Sequence, residues 1–155
     1  MTNGAQISFI RSGSVVLTRV CSQACSYCAF RSSEENVLSV ANLHENLYRI
    51  RKSGATEAVF ICGDSPQEYP LTLVALKKEG FSSFADYLEH SCKLALTYEL
   101  LPVLSVGALD LFASKKLAHV AALIRIPVFS SDLFGAGKAH ENSRRRTFGN
   151  AKIAI

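Results

Sequence analysis

The sequence predicts an α/β fold built on parallel strands, and three observations predict it. Short apolar runs rich in β-branched residues alternate with amphipathic stretches of helical period, the pattern of βαβ units around a parallel sheet. The chain has 155 residues, the length of one ordinary domain. Hydrophobic residues make up 48% and charged residues 19%, enough apolar material for a core and too little charge for disorder. A barrel segment and an open doubly wound sheet both fit this pattern.

The elements follow in order. Ser14 to Val20 ("SVVLTRV") reads as a buried strand, with Gly13 before it and a cysteine-rich loop after it. From Ser39, the spacing of Leu43, Leu47 and Ile50 marks one face of a helix, with Ser39 as N-cap and Gly54 as its stop. "TEAVFIC" is a second strand, ending at Gly63-Asp64. A loop containing Pro66 and Pro70 leads into a short helix ending near Gly80. A longer helix starts near Ser83 and turns Phe84, Tyr87, Leu88, Ala95 and Leu96 toward a core. "LLPVLSVG" is a third strand and "LDLFASKKLAHVAAL" a helix. "IRIPVFSS" is a fourth strand, interrupted by Pro127. After Phe134 the chain turns polar and loses periodicity, so a core domain over 1–134 and a loose tail over 135–155 are expected. There is no internal repeat and no low-complexity tract.

Composition narrows the function classes. No apolar run reaches the ~18 residues that cross a bilayer, and the N-terminus lacks the basic start and apolar centre of a secretory signal. A cytoplasmic protein with no membrane partner is expected. The net charge of +4 owes much to Arg144, Arg145, Arg146 and Lys152. That cluster is short and terminal, unlike the basic stripe with interleaved aromatics that marks a nucleic-acid interface, so no nucleic-acid partner is expected. "FGAGKAH" fails as a phosphate loop, which would need glycine at Asp132 and a hydroxyl at Ala139.

The chemistry is concentrated in "CSQACSYC", which places Cys21, Cys25 and Cys28 on a loop at the C-terminal end of the first strand. That is the end at which α/β folds place their sites. In a reducing compartment such a cluster points to metal ligation rather than disulfides, and the chain's five cysteines would leave a disulfide framework incomplete. Iron–sulfur clusters are held by thiolates, normally four, so three local ligands leave one iron open to a small chelating molecule. A structural zinc site would want paired ligands. Cys62 and Cys92 are single residues, and His44 and His90 lie on helices where a lone histidine is usually exposed or hydrogen-bonded. A redox-active dithiol could use Cys25 and Cys28 but leaves Cys21 unexplained.

The trio, with Tyr27 directly before the third cysteine, resembles the signature of the radical S-adenosylmethionine (SAM) enzymes. Together with "EAVFICGDSPQEYP" and "LLPVLSVGAL", it resembles the CofG-type subunit or domain of 7,8-didemethyl-8-hydroxy-5-deazariboflavin (FO) synthase, over about Ile7 to Leu109. The resemblance implies a radical-SAM (β/α) barrel, here partial and incomplete at the C-terminal side. It implies a 4Fe-4S cluster on Cys21, Cys25 and Cys28, with SAM on the open iron. Tyr27 would pack near cluster and adenine, and Gly63 and Asp64 would receive the SAM amino group on their backbone. The same pair also reads as an ordinary strand-to-loop turn. The implied reaction cleaves SAM to a 5′-deoxyadenosyl radical, which abstracts hydrogen from a tyrosine-derived ribityl-aminouracil adduct. Ring closure with loss of ammonia follows, a lyase reaction. An electron donor and a CofH-type subunit or domain are the implied partners.

The pattern departs from the family after "LLPVLSVGAL". The next block, "LAHVAALIRIPVFSSDLFGAGK", resembles a later part of the family, so at least one strand–helix unit is expected to be missing. Within it Ser131 stands at a usual glycine and Lys138 at a usual acid. A shortened, non-catalytic iron–sulfur binding module is the alternative these departures raise, and a small zinc module is a third.

Overall fold

The computed structural model describes residues 7–32, 37–125 and 136–141. Four parallel strands form one sheet: β1 (Ser12–Thr18), β2 (Glu57–Cys62), β3 (Leu101–Ser105) and β4 (Leu123–Ile124), in the order β1-β2-β3-β4. Strand order equal to chain order decides between the two architectures left open by the sequence. A doubly wound sheet reverses direction at its switch point, whereas a (β/α) barrel adds each strand to the same growing edge. The sheet is open and matches a partial barrel.

Each crossover is helical. Helix α1 (Val40–Lys52) is capped by the Ser39 side chain, which accepts from the Asn42 N–H, and it buries Leu43 and Leu47. A 3-10 turn (Pro66–Glu68) and α2 (Pro70–Lys78) precede α3 (Phe84–Thr97), whose N-cap Ser83 accepts from Asp86. Helix α4 (Leu111–Leu117) is capped by Asp110, which accepts from Ala113. Side chains of a strand alternate between faces, and the register places Val15, Phe60 and Leu104 side by side. With Leu17 and Ala58 they pack against Leu43, Leu47, Tyr87, Leu88 and Leu117 in one core. The opposite face, the interior side of a barrel, carries Val59 and Val103, both buried, beside Val16 (40% exposed) and Leu123 (49%).

Some boundaries differ from the sequence expectation. The first strand begins and ends two residues earlier, because Arg11 and Ser12 already engage Thr56 and Glu57: the Thr56 N–H donates to the Arg11 carbonyl, and the Ser12 hydroxyl to Glu57. Helix α4 stops at Leu117, far short of the predicted Leu123. The Ala122 N–H is taken by the Pro102 carbonyl and Leu123 pairs with Val103, so sheet pairing claims those residues. Leu96 is 47% exposed rather than core-facing; it lies one residue, roughly 100° of helix, past Ala95 at the stripe's edge. The remainder of the predicted fourth strand, with Pro127 and Ser131, lies outside the described residues. So does most of the expected tail; its residues 136–141 lie against the cysteine loop. No helix among the described residues is long and apolar enough to cross a membrane.

Candidate metal and cofactor site

The site grows from the end of β1. Val16 pairs with Ile61 but Thr18 pairs with Cys62, a bulge that places one extra residue in β1 and turns its end. Leu17 and Thr18, consecutive in sequence, are both buried. The Thr18 carbonyl accepts from Gly63 at 3.2 Å and its hydroxyl accepts from Val20 at 3.1 Å, aiming the cysteine loop across the end of β2.

Gly63 makes that crossing possible. A Cβ there would stand 2.0 Å from the Val20 carbonyl oxygen and 2.5 Å from Cys21 Cβ, so only glycine lets the two backbones meet. The contact is then locked. Ser22 N–H donates to the Asp64 carbonyl (2.8 Å), and Asp64 N–H donates to Cys21 Sγ (3.2 Å). Tyr69 Oη donates to the Cys21 carbonyl at 3.0 Å. The other arm of the loop is held by Arg19, whose guanidinium donates to the Phe30 (2.6 Å) and Ala29 (2.9 Å) carbonyls and lies over the Phe30 ring.

Asp64 is buried beneath the end of β3. Gly107, at φ +79°, faces it, and a Cβ at Gly107 would lie 2.7 Å from Asp64 Oδ1. Ser65 follows in the left-handed region (φ 49°) immediately before Pro66, a costly conformation for a non-glycine residue of the kind that collects at binding sites. The ends of β1, β2 and β3 thus converge through glycine contacts and a strained turn.

All five cysteines are free thiols. Cys21 and Cys25 are half-buried and Cys28 is exposed, as is Tyr27. The loop carries Cys21, Cys25 and Cys28 together, with a turn from the Cys28 N–H to the Cys25 carbonyl (3.1 Å), but their side chains are not grouped. Among the described residues no three His, Cys, Asp or Glu side chains form a metal-holding group. The donor set nevertheless suits an iron–sulfur cluster: three free thiols on one loop, one of them accepting a backbone N–H, the bond that tunes cluster sulfurs. Cys62 lies in the core, donating to the Val106 carbonyl (3.5 Å), and burial, then the charges of Asp64 and Cys21, pushes its thiol pKa up. Cys92 is buried in α3, and burial pushes its thiol up to about 12. His44 is hydrogen-bonded to Tyr98 (3.0 Å), as expected of a lone helical histidine.

Comparison with known proteins finds relatives that all carry one name. Over 108 residues the chain is 34% identical to the 7,8-didemethyl-8-hydroxy-5-deazariboflavin synthase of Methanococcoides burtonii, covering 67% of this chain and 33% of that protein. It is 34% identical over 113 residues to the synthase of the same name from Methanoregula boonei, covering 72% and 34%. The chain belongs to the FO synthase family. To the Methanopyrus kandleri FO synthase it is 30% identical over 145 residues, or 88% of this chain and 43% of that one. The chain therefore spans about a third of the length of the first two FO synthases it matches. No family model matches it, and no solved structure matches it significantly.

Sequence reasoning missed several residues that shape this candidate site. Gly107 follows β3 as Gly63 follows β2, a repeated strand–glycine signal that was readable. Tyr69 lies in the "EAVFICGDSPQEYP" block and Arg19 in the predicted first strand, but neither residue type signals its contact with the cysteine loop. His140, which packs on Tyr27, lies too far along the chain for any local pattern to expose.

Proposed function

We propose that this chain is the cluster- and SAM-binding end of a radical-SAM enzyme of deazaflavin coenzyme biosynthesis, of the FO synthase CofG type. The observation that carries it is the three-thiol loop at the end of β1, locked onto Gly63 and Asp64 at the end of β2, in a member of the FO synthase family. Cys21, Cys25 and Cys28 would hold the 4Fe-4S cluster. When bound, cluster and SAM supply one-electron cleavage of SAM to a carbon radical that removes hydrogen from substrate. Gly63 lets the cysteine loop sit directly on the end of β2, and strand-end carbonyls there suit the SAM ammonium. Tyr27 offers a ring beside the third cysteine for adenine. The substrate under this proposal is a tyrosine-derived ribityl-aminouracil adduct, cyclised with loss of ammonia as in a lyase. An electron donor and a CofH-type subunit or domain would act with it, in the cytoplasm, where thiols stay reduced.

The openness of the sheet favours a second reading, a non-catalytic iron–sulfur binding module. Radical chemistry needs a cavity that excludes water, and the barrel-interior face leaves Val16 and Leu123 partly exposed. Anaerobic reconstitution with iron and sulfide, iron counting and electron paramagnetic resonance test the cluster; a chain that takes up no iron refutes both readings. Formation of 5′-deoxyadenosine from SAM and a reductant separates them, since only the enzyme releases it.

A further inference from the structure

The cysteine loop is anchored at its first arm by Asp64 and Tyr69 and at its last arm by Arg19. Its middle, Ser26 and Tyr27, spaces Cys25 from Cys28 and is met from elsewhere. The Ala139 carbonyl accepts both the Ser26 N–H (3.3 Å) and the Ser26 hydroxyl (3.2 Å). His140, only 2% exposed, stands edge-on to the Tyr27 ring with centroids 5.4 Å apart and planes at 78°. That is the preferred geometry of an aromatic pair. The segment is itself a closed turn: Gly137 N–H donates to the Glu141 carboxylate (2.8 Å) and Glu141 N–H to the Lys138 carbonyl (3.1 Å). A preformed turn pressed on the loop's middle restricts where Cys25 and Cys28 can point.

We infer that His140 is a positioning residue for the cysteine loop, fixing the Ser26–Tyr27 turn and with it the presentation of Cys25 and Cys28 beside Cys21. The cluster site is then built from both ends of the described chain, 113 residues apart at the Ser26–Ala139 contact. The inference rests on the proposed cluster function for its purpose, though the clamp itself is a property of the metal-free chain.

The test uses the full chain in two arms. In the metal-free protein, iodoacetamide labelling of each cysteine is followed by mass spectrometry. His140→Ala should label Cys25 roughly three- to tenfold faster, the size set by losing one ring contact that holds a local structure closed. Cys21, held by Asp64 and Tyr69, should keep its rate. His140→Phe retains a ring edge against Tyr27 and should restore the parent rate. Ser26→Ala, at an exposed position, should raise the Cys25 rate by a smaller factor, and it decides the matter alone if His140→Ala fails to fold. Unchanged Cys25 labelling, or an equal rise at Cys21, overturns the inference, as does a failure of His140→Phe to restore. In the second arm, reconstituted His140→Ala should bind less iron than the parent and show an altered response of its reduced-cluster resonance to SAM; parent-like iron content and response count against the clamp. If the parent itself binds no iron, the proposed function falls while the labelling arm still judges the clamp.

Discussion

Gly63→Ala is the sharpest perturbation of the site that does not touch a thiol. The new Cβ would lie 2.0 Å from the Val20 carbonyl oxygen, 2.6 Å from its carbonyl carbon and 2.5 Å from Cys21 Cβ. Two of these are backbone atoms, so no side chain can swing aside. The ends of β1 and β2 must separate by an ångström or so to reach ordinary contact at about 3.5 Å. Forcing a methyl into a packed site costs typically about 1–3 kcal/mol. The separation also stretches the bonds from Gly63 to Thr18, Ser22 to Asp64 and Asp64 to Cys21, each worth about 1 kcal/mol. A loss of about 3–4 kcal/mol is expected, which is large against a typical domain stability of about 5–15 kcal/mol. With a urea slope of about 2 kcal/mol/M, the unfolding midpoint should fall by about 1.5–2 M. Urea titration followed by circular dichroism measures it. A midpoint within about 0.3 M of the parent, at unchanged slope, would refute the claim that the two backbones are in contact through Gly63.

The remaining predictions concern the surroundings of the loop. Tyr69→Phe removes the donor to the Cys21 carbonyl and should cost about 1 kcal/mol, read as a melting temperature lower by roughly 2–4 °C; an unchanged melt would mean water replaces the phenol at no loss. Near neutral pH, iodoacetamide should label Cys28 ahead of the buried thiols, whose pKa values burial has raised, and Cys62 and Cys92 should react only after unfolding. Native labelling of Cys92 as fast as Cys28 contradicts this burial. Lys116 bridges Asp86 and Glu89, and its hydrogen bond holds the Asp86 carboxyl below the usual range. Lys93, then Lys116, does the same for Glu89. Groups depressed in the folded state contribute stability above their ordinary pKa and lose it as pH falls through the lowered values. Lys116→Met should therefore flatten the fall in stability on acidification below the carboxylate range, followed by urea midpoints across pH; a parent-like slope would show that the bridge carries none of it.

The fold was legible wherever local chemistry repeats. Ser39 caps α1 as its position suggested, the helix expected from near Ser83 begins there with Ser83 as its cap, and the first three apolar runs are adjacent parallel strands. Residue pattern alone left barrel and doubly wound sheet equal, because both use the same βα units; only strand order, a tertiary fact, separates them. Helix α4 is shorter than its pattern implies because "HVAAL" has apolar residues that suit helix and strand alike, and the Pro102 carbonyl draws them to the sheet. At the site, the cysteines and the Gly63-Asp64 turn stood out by residue type. Gly107 lies at the end of the third apolar run, but its role depends on Asp64 lying beneath it. The clamp from Ala139 and His140 had no local signature, since it pairs residues from opposite ends of the chain.

The order β1-β2-β3-β4 also dictates a sequence of assembly. Each parallel pair joins segments about one βα unit apart, such as Val15 with Phe60 and Phe60 with Leu104, so every new strand docks on an edge already made. As the chain leaves the ribosome, β1 emerges with its cysteines, but Cys21 has nothing to lean on until Gly63 and Asp64 arrive. Asp64 in turn gains its cover from Gly107 one unit later, and Ala139 closes over Ser26 after that. The cysteine loop is therefore made before the elements that hold it, and its thiols stay open to solution until Gly63, Asp64 and Ala139 have followed.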